Sequence, residues 1–355
     1  MTIRMTRPAY AYLAQLCYPI STSLIGKLSC HRSKDMILIP NQRTYKPSNR
    51  TFREQLRGLI RLTRWKEYIP FVIPLTILGA LLAARPHGIW LDWRLAAVTG
   101  ANILAVAYAF MINDIEDAPD DATDPDRAAR NAVTSGEVTI RTGYSVCRVV
   151  GAATLILYAF GNIYVLGIGV ATLLLSHLYS WRPIRLKAWP VSDIISHSLM
   201  LSGLLLLAGY FTYHKSPGVV WFVAGGATLF SVYGQLYNQL RDYDIDKKAG
   251  LRNTAIMLGE VNARRMMYLS IGLAVICLLV AIFRDVFPLE LGAVLMASII
   301  ISSFFKTEVD ARGSIAADAS GALQIQGLIT INLTIVSWLI YSIGDQMQIL
   351  ATIGL

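Results

Sequence analysis

The stretch Asn113-Asp114-Ile115-Glu116-Asp117-Ala118-Pro119-Asp120-Asp121 follows directly on an apolar run, Ala96 to Ile112. On a helix, Asp114, Asp117 and Asp121 fall at i, i+3 and i+7, so the three carboxylates share one face. That face stands at the membrane end of an apolar helix. Carboxylates bunched so tightly repel one another unless a cation sits between them. Hard oxygen ligands suit Mg²⁺, which commonly bridges to a substrate phosphate. A second acidic stretch, Asn238-Gln239-Leu240-Arg241-Asp242-Tyr243-Asp244-Ile245-Asp246, also follows an apolar run, and its Asp242 and Asp246 are i and i+4. Taken singly, each stretch reads as a solvated acidic loop. Two of them, at two membrane boundaries, point to metal ions clamping a diphosphate.

Working outward, the 355 residues are 54% hydrophobic and 15% charged, too apolar for a soluble domain of this size. Nine apolar segments are expected to span a membrane, near 68–84, 94–112, 143–160, 163–180, 191–211, 219–237, 266–283, 287–305 and 323–343. The net charge of +9 is not a nucleic-acid signature, because basic residues collect in alternate loops. The short loops 113–142, 181–190, 238–265 and 306–322 carry 14 Lys and Arg, against four (Arg85, Arg94, Lys215, Arg284) in the loops opposite. The positive-inside rule puts the N-terminus and both acidic motifs in the cytoplasm and the C-terminus outside, in a plasma or inner membrane if the source is prokaryotic. Four cysteines (Cys17, Cys30, Cys147, Cys277) show no metal spacing, and Cys147 and Cys277 read as packing residues. His177 and His197 read as packing or local hydrogen bonding.

Residues 1–50 read as a poorly structured extension. Ala9 to Ile25 is mildly apolar, is interrupted by Pro19, and shows no convincing cleavage site of a signal peptide. Residues 51–67 read as an amphipathic interfacial helix. Phe52, Leu56, Leu59 and Ile60 form its apolar face, and Arg53, Arg57, Arg61 and Arg64 its basic stripe. Residues 68–343 form the membrane domain and 344–355 a short tail. The loops after the acidic stretches repeat a pattern: Arg130-Asn131 leads to Gly136-Glu137-Val138, and Arg252-Asn253 leads to Gly259-Glu260-Val261. This suggests two related halves facing one site.

With these motifs the chain resembles the UbiA superfamily of intramembrane prenyltransferases. Asn113, Asp114, Asp117 and Asp121 match every specified position of that family's NDxxDxxxD motif. Asp242 and Asp246 match the last two acids of its DxxDxxxD motif, with Asn238 and Arg241 as in a known variant and Gly250 and Thr254 in the motif's tail. Tyr179-Ser180-Trp181-Arg182-Pro183-Ile184-Arg185-Leu186-Lys187 looks like the family's Tyr-Ser…Pro-x-Arg-Leu-Lys segment. The resemblance covers about residues 60–343. It implies an all-α bundle of nine transmembrane helices around a central cavity, and transfer of a prenyl group from an allylic diphosphate to a lipophilic acceptor. That acceptor is an aromatic quinone precursor, a chlorophyll-type ring, a glycerol-phosphate lipid or a carotenoid.

The resemblance also assigns roles. Asp114, Asp117 and Asp121 would hold one Mg²⁺ and Asp242 with Asp246 a second. Asn113, Lys187 and Arg185 would contact the diphosphate, with Arg64, Arg130, Asn238 and Arg241 as further candidates. Tyr179, Tyr237 and Tyr243 would line the path of the carbocation. For Arg182, Arg185 and Lys187 the plainer reading is positive-inside topology, for the tyrosines an interfacial aromatic belt, and for Arg64 an interface anchor. Gly167, Gly169 and Gly203 either leave room for the donor tail or let helices pack closely. Pro119, inside the first motif, is expected to end or kink the helix near Ala118. Gln239 stands where the family has an acid, which removes a possible general base and makes a phenolic acceptor less secure. The rival readings are a terpene cyclase on the same fold and, in another class, an ion-coupled transporter. A transporter's acids belong at mid-span rather than at span ends. A phosphatidyl-alcohol transferase lacks its Asp-Gly-x-x-Ala-Arg stretch here.

Overall fold

A computed structural model of the chain describes residues 51–84, 90–218, 220–248, 250–304 and 322–353. The described residues form helices and no strands. The extension 1–50 lies outside them.

α1 (Phe52–Thr63) begins at a capping box, in which the Thr51 hydroxyl accepts from the Glu54 N–H and Glu54 accepts from the Thr51 N–H. It ends at Arg64 in the left-handed region, φ 51°. Gly58 and Leu62 are buried, while Leu56 and Ile60 stay exposed. The helix therefore sits on the protein by one edge and leaves an apolar edge exposed. α2 (Trp65–Ala84) contains Pro70 and Pro74. Pro74 cannot donate to the Pro70 carbonyl, and Asn332 Nδ2 takes that carbonyl at 2.9 Å.

α3 (Trp93–Asp121) has 29 residues, about 43 Å at 1.5 Å per residue. That exceeds the ~30 Å hydrocarbon core, so its last turns stand in the interface. The expectation that this helix ends near Ala118 is corrected: it continues through Pro119 to Asp121, and the Ala122 N–H donates to the Ala118 carbonyl. Pro119 deletes one hydrogen bond in a last turn already close to its end, where the loss is small. α4 (Pro125–Arg130) follows, capped by Asp124.

α5 (Ile140–Ala159), α6 (Ile163–Ser180) and α7 (Ser192–Tyr213, with a π turn at Leu199–Gly203) continue the bundle. α8 (Val220–Arg241) carries the second motif at its end, followed by α9 (Tyr243–Lys248) and α10 (Thr254–Leu258). α11 (Glu260–Phe283), α12 (Glu290–Ser303) and α13 (Ala322–Ile353) complete it, α13 running on through the residues read as a tail. Each expected segment overlaps a described helix, though not over its whole length. Seven of the described helices are long and apolar enough to cross a membrane. α12 is shorter, and the polar end of α8 keeps it outside that number.

Two devices hold the first half together at membrane depth. Asn102 Nδ2 donates to Thr76 Oγ1 (2.7 Å) and the Leu205 carbonyl (3.0 Å), and Tyr158 Oη donates to Asn102 Oδ1 (2.6 Å). Four helices thus share one satisfied polar knot, worth most where no water competes. The other device is backbone contact. A Cβ on Gly79 would stand 2.0 Å from the Leu206 carbonyl oxygen, and one on Gly209 2.1 Å from that of Thr76. α2 and α7 cross at these two glycines. Of the glycines singled out from sequence, Gly169 is filled by the Tyr158 ring and Gly203 faces Thr228, so both serve packing, while Gly167 faces open space. His177 shares a hydrogen bond with Tyr108 (3.0 Å) and stacks on Trp181, as expected of a local partner.

Candidate active site

The end of α3 is clasped by the basic loop between α6 and α7. Arg185, itself left-handed at φ 48°, donates to Asp117 Oδ1 (3.0 Å) and Asp120 Oδ2 (2.7 Å). Lys187 Nζ donates to Asn113 Oδ1 (2.7 Å) and Asp117 Oδ2 (2.5 Å), and Ser180 Oγ donates to the same Asn113 oxygen. The Lys187 side chain is 16% exposed. Desolvation holds its pKa below the usual lysine range against the pull of Asp117. Arg64 reaches Asp114 (3.3 Å) and Glu67 while lying over the Phe110 ring. Asp121 accepts from Asn131 Nδ2 (2.8 Å).

At the second motif, Asp246 accepts from Asn253 Nδ2 (2.9 Å) and faces Arg127, 3.7 Å away on α4. Arg127 thus bridges the loop of the first motif to the acid of the second. Desolvation, reinforced by Asp242, raises the Asp246 carboxyl to about 6. Asp242 pairs with its neighbour Arg241 (3.2 Å).

Not every expected residue joins this group. Arg130 and Asn238 are exposed, and no ion pair involving Arg130 occurs among the described residues. Tyr237 and Tyr243 are buried in an apolar cluster with Leu236, Leu240 and Met267. Tyr179 sits elsewhere, against Tyr68 and Met200, where its hydroxyl accepts from Gln235 Nε2 (3.3 Å) and its ring neighbours His197. The three tyrosines do not converge. Among the described residues, no three His, Cys, Asp or Glu side chains form one compact ligand set.

Four residues that sequence reading passed over complete the arrangement. Glu116 is buried, accepts from Tyr144 Oη (2.6 Å) and the Arg182 N–H (3.2 Å), and anchors the basic loop. Arg61 pairs with Glu137 and the Ala129 carbonyl, tying α1 to the loop of the first motif. Asn131 is described above. Asp193 is fully buried and accepts from Gln239 Nε2 (2.7 Å), the Thr254 N–H (2.8 Å), the Thr254 hydroxyl and the Ile194 N–H (2.8 Å). Gln239 Oε1 in turn accepts from the Ala255 N–H (3.0 Å). The glutamine in place of an acid is therefore a structural partner: an aspartate at 239 would confront the Asp193 carboxylate. Val191, strained at φ 70°, donates its N–H to Thr254 Oγ1 (2.7 Å). This network latches the basic loop to the second motif. Asp193 follows the basic segment within a few residues, and the remaining signal lies in contacts across 46 to 61 residues of sequence that no local pattern reveals.

The sequence and the fold have counterparts among known proteins. The profile of the UbiA prenyltransferase family matches residues 72–319, well over half of the chain. The chain belongs to the UbiA prenyltransferase family. This UbiA-family chain is an all-helical integral membrane prenyltransferase. It is 28% identical over 215 residues to a lycopene elongase/hydratase of Haloarcula japonica, covering 59% of this chain and 70% of that one. Its fold is like that of a UbiA homologue from Archaeoglobus fulgidus bound to GPP and Mg²⁺ (TM-score 0.58, 22% identity, 79% of this chain and 99% of that one). It is also like that of a digeranylgeranylglyceryl phosphate synthase (TM-score 0.58, 20% identity, 82% and 99%).

Proposed function

We propose that this UbiA-family enzyme transfers a prenyl group from an allylic diphosphate to a polyene acceptor of the lycopene class, with a divalent cation, Mg²⁺, assisting the loss of diphosphate. The observation that carries the reading is the charge arrangement: Asp114, Asp117 and Asp246 each face a cationic side chain from another element. Such pairs are poised for exchange. Lys187 and Arg185, now paired with Asp117, would bind the oxygens of a diphosphate, and the carboxylates would then be available to hold the metal. The donor set fits this ion, since all-oxygen, acidic ligands suit Mg²⁺, and Mg²⁺ needs only one or two carboxylates when phosphates supply the rest. Asp114, Asp117 and Asp121 would hold one ion and Asp242 with Asp246 another. When bound, the metal neutralises the charge developing on the leaving diphosphate. Asn113 orients Lys187, and Arg64 and Arg127 add positive charge. Tyr179, one residue before the Ser180 that bonds Asn113, offers an aromatic face at the motif end of its helix.

The polyene acceptor is supported by the lycopene elongase/hydratase relative and by Gln239, whose amide is fully engaged and offers no base for a phenol's proton. The reading includes nine spans around a central cavity, with a cytoplasmic N-terminus and site and an external C-terminus, an orientation the loop charges support.

The test is turnover by protein in nanodiscs with ten-, fifteen- and twenty-carbon allylic diphosphates, Mg²⁺ and lycopene, with products identified by mass spectrometry. Expected are Mg²⁺-dependent diphosphate release and a prenylated polyene. Asp114→Asn or Asp242→Asn should abolish both while the protein remains folded in the membrane. Normal turnover in either variant overturns the clamp. A cyclised donor formed without acceptor overturns transfer in favour of the cyclase.

A further inference from the structure

In both halves the repeated Arg-Asn…Gly-Glu-Val pattern puts its asparagine on the last aspartate of the preceding motif. Asn131 follows the first acidic motif and Asn253 the second, and both are buried (3% and 7% exposed). Asn131 Nδ2 donates to Asp121 Oδ2 at 2.8 Å, and Asn253 Nδ2 to Asp246 Oδ2 at 2.9 Å. In each case the partner is the last aspartate of the motif, and in each case one carboxylate oxygen is held. Each amide oxygen is taken by a backbone N–H two or three residues on, and Asn131 Nδ2 also donates to the Asp114 carbonyl (2.7 Å). Asn131 Oδ1 accepts the Val133 N–H (2.8 Å), and Asn253 Oδ1 accepts the Ile256 N–H (3.0 Å). With its oxygen committed to backbone, each amide has only its NH₂ to turn toward the acid. The arginines ahead of them, Arg130 and Arg252, are both exposed. The glycines after them, Gly136 and Gly259, both stand at positive φ (80° and 74°).

We propose that Asn131 and Asn253 are equivalent positioning residues, each holding Oδ2 of Asp121 or Asp246 so that Oδ1 is presented to a divalent cation, which at Asp246 would take the place of Arg127, 3.7 Å from that oxygen. The inference rests on the metal-clamp reading above. The choice of amide has a physical reason. A neutral donor orients a carboxylate without neutralising it, whereas a lysine or arginine at that place would compete with the metal. Holding each terminal aspartate in one rotamer removes the entropy that the metal would otherwise have to offset. The two halves then present one prepositioned acid each, with Arg127 between them.

The test uses the full-length protein in detergent with Mn²⁺ as probe and inorganic pyrophosphate present, free Mn²⁺ being read by electron paramagnetic resonance. Asn131→Asp and Asn253→Asp keep the oxygen that accepts the backbone N–H, so the local turn is preserved, but they lose the donor and face the aspartate with like charge. Each should weaken one class of Mn²⁺ site about 10- to 100-fold, and the double variant both classes. Asn131→Ser and Asn253→Ser keep a backbone acceptor without added charge and should weaken binding in the same direction. Unchanged or tighter Mn²⁺ binding in the Asp and Ser variants, with native binding intact, overturns the positioning role alone. A native protein that binds no Mn²⁺ overturns the clamp reading, and this proposal with it.

Discussion

In the proposed metal clamp, Lys187 and Asp246 are the single residues whose surroundings most affect the chemistry. Lys187 is held by Asn113 and Asp117 in a nearly closed niche, so its charge is costly until a better anion arrives. Lys187→Met would remove that charge while keeping the stem. It should lower kcat by at least about tenfold, with the folded protein retained. Asp246 contributes to the pH dependence. Its carboxyl, raised to about 6 by desolvation and Asp242, takes up a proton in the metal-free protein as pH falls below that value. A cation binds only the ionised form, so proton and metal compete. The Mg²⁺ concentration for half-maximal turnover should be flat above pH 7 and rise between pH 6 and 5. An Mg²⁺ requirement independent of pH over that range would remove Asp246 from the ligands.

Among the elements, the contact of α2 with α7 and the latch below it decide stability. Gly79 lies against the Leu206 backbone, which no side chain can yield to, so Gly79→Ala must part the two helices. Gly167 has nothing within 4 Å, so Gly167→Ala should be neutral or slightly stabilising through helix propensity. Comparing their thermal inactivation rates in detergent checks the pair, and equal behaviour would contradict the close crossing. Asp193 is the corresponding point of the latch. Asp193→Ala strands the Gln239 amide and the Thr254 and Ile194 N–H groups in a dry interior, at ~1–3 kcal/mol for each unsatisfied group. It should both speed thermal inactivation and raise KM for the diphosphate, because the basic loop would lose its register on the second motif.

Over the whole molecule, the acidic motifs are internally balanced by Arg64, Arg185, Lys187, Arg127 and Arg241. Removing divalent metal should therefore stop diphosphate release and leave the fold intact. Chelation followed by far-UV circular dichroism and turnover separates the two, and loss of helicity on chelation would make the metal structural. The family match begins at residue 72, and the first described helix starts with its own cap at Thr51. Deleting residues 1–50 should accordingly leave turnover largely intact in the reconstituted protein.

Much of this was legible in the sequence for a physical reason. A bilayer demands long apolar helices, and the cost of bunched carboxylates at their ends makes the motifs stand out, so helices, family and acid positions follow from local pattern. Positions such as Asp114 and Asp117 declare themselves by spacing, whereas Lys187 stands out only through the resemblance of its segment to the family's. Local pattern could not say which partner each side chain takes. Pro119 is tolerated because the helix has only two residues left to run, and Gln239 is explained by Asp193, 46 residues away. Asn131 and Asn253 acquire a role only when each turn folds back on its own helix end. Tyr237 and Tyr243, placed beside the second motif by sequence, are drawn into an apolar cluster by burial. The sequence by itself determined what crosses the membrane and which chemistry gathers at its edge. Tertiary structure decided which groups meet, because hydrogen bonds and ion pairs form across helices that only packing brings together.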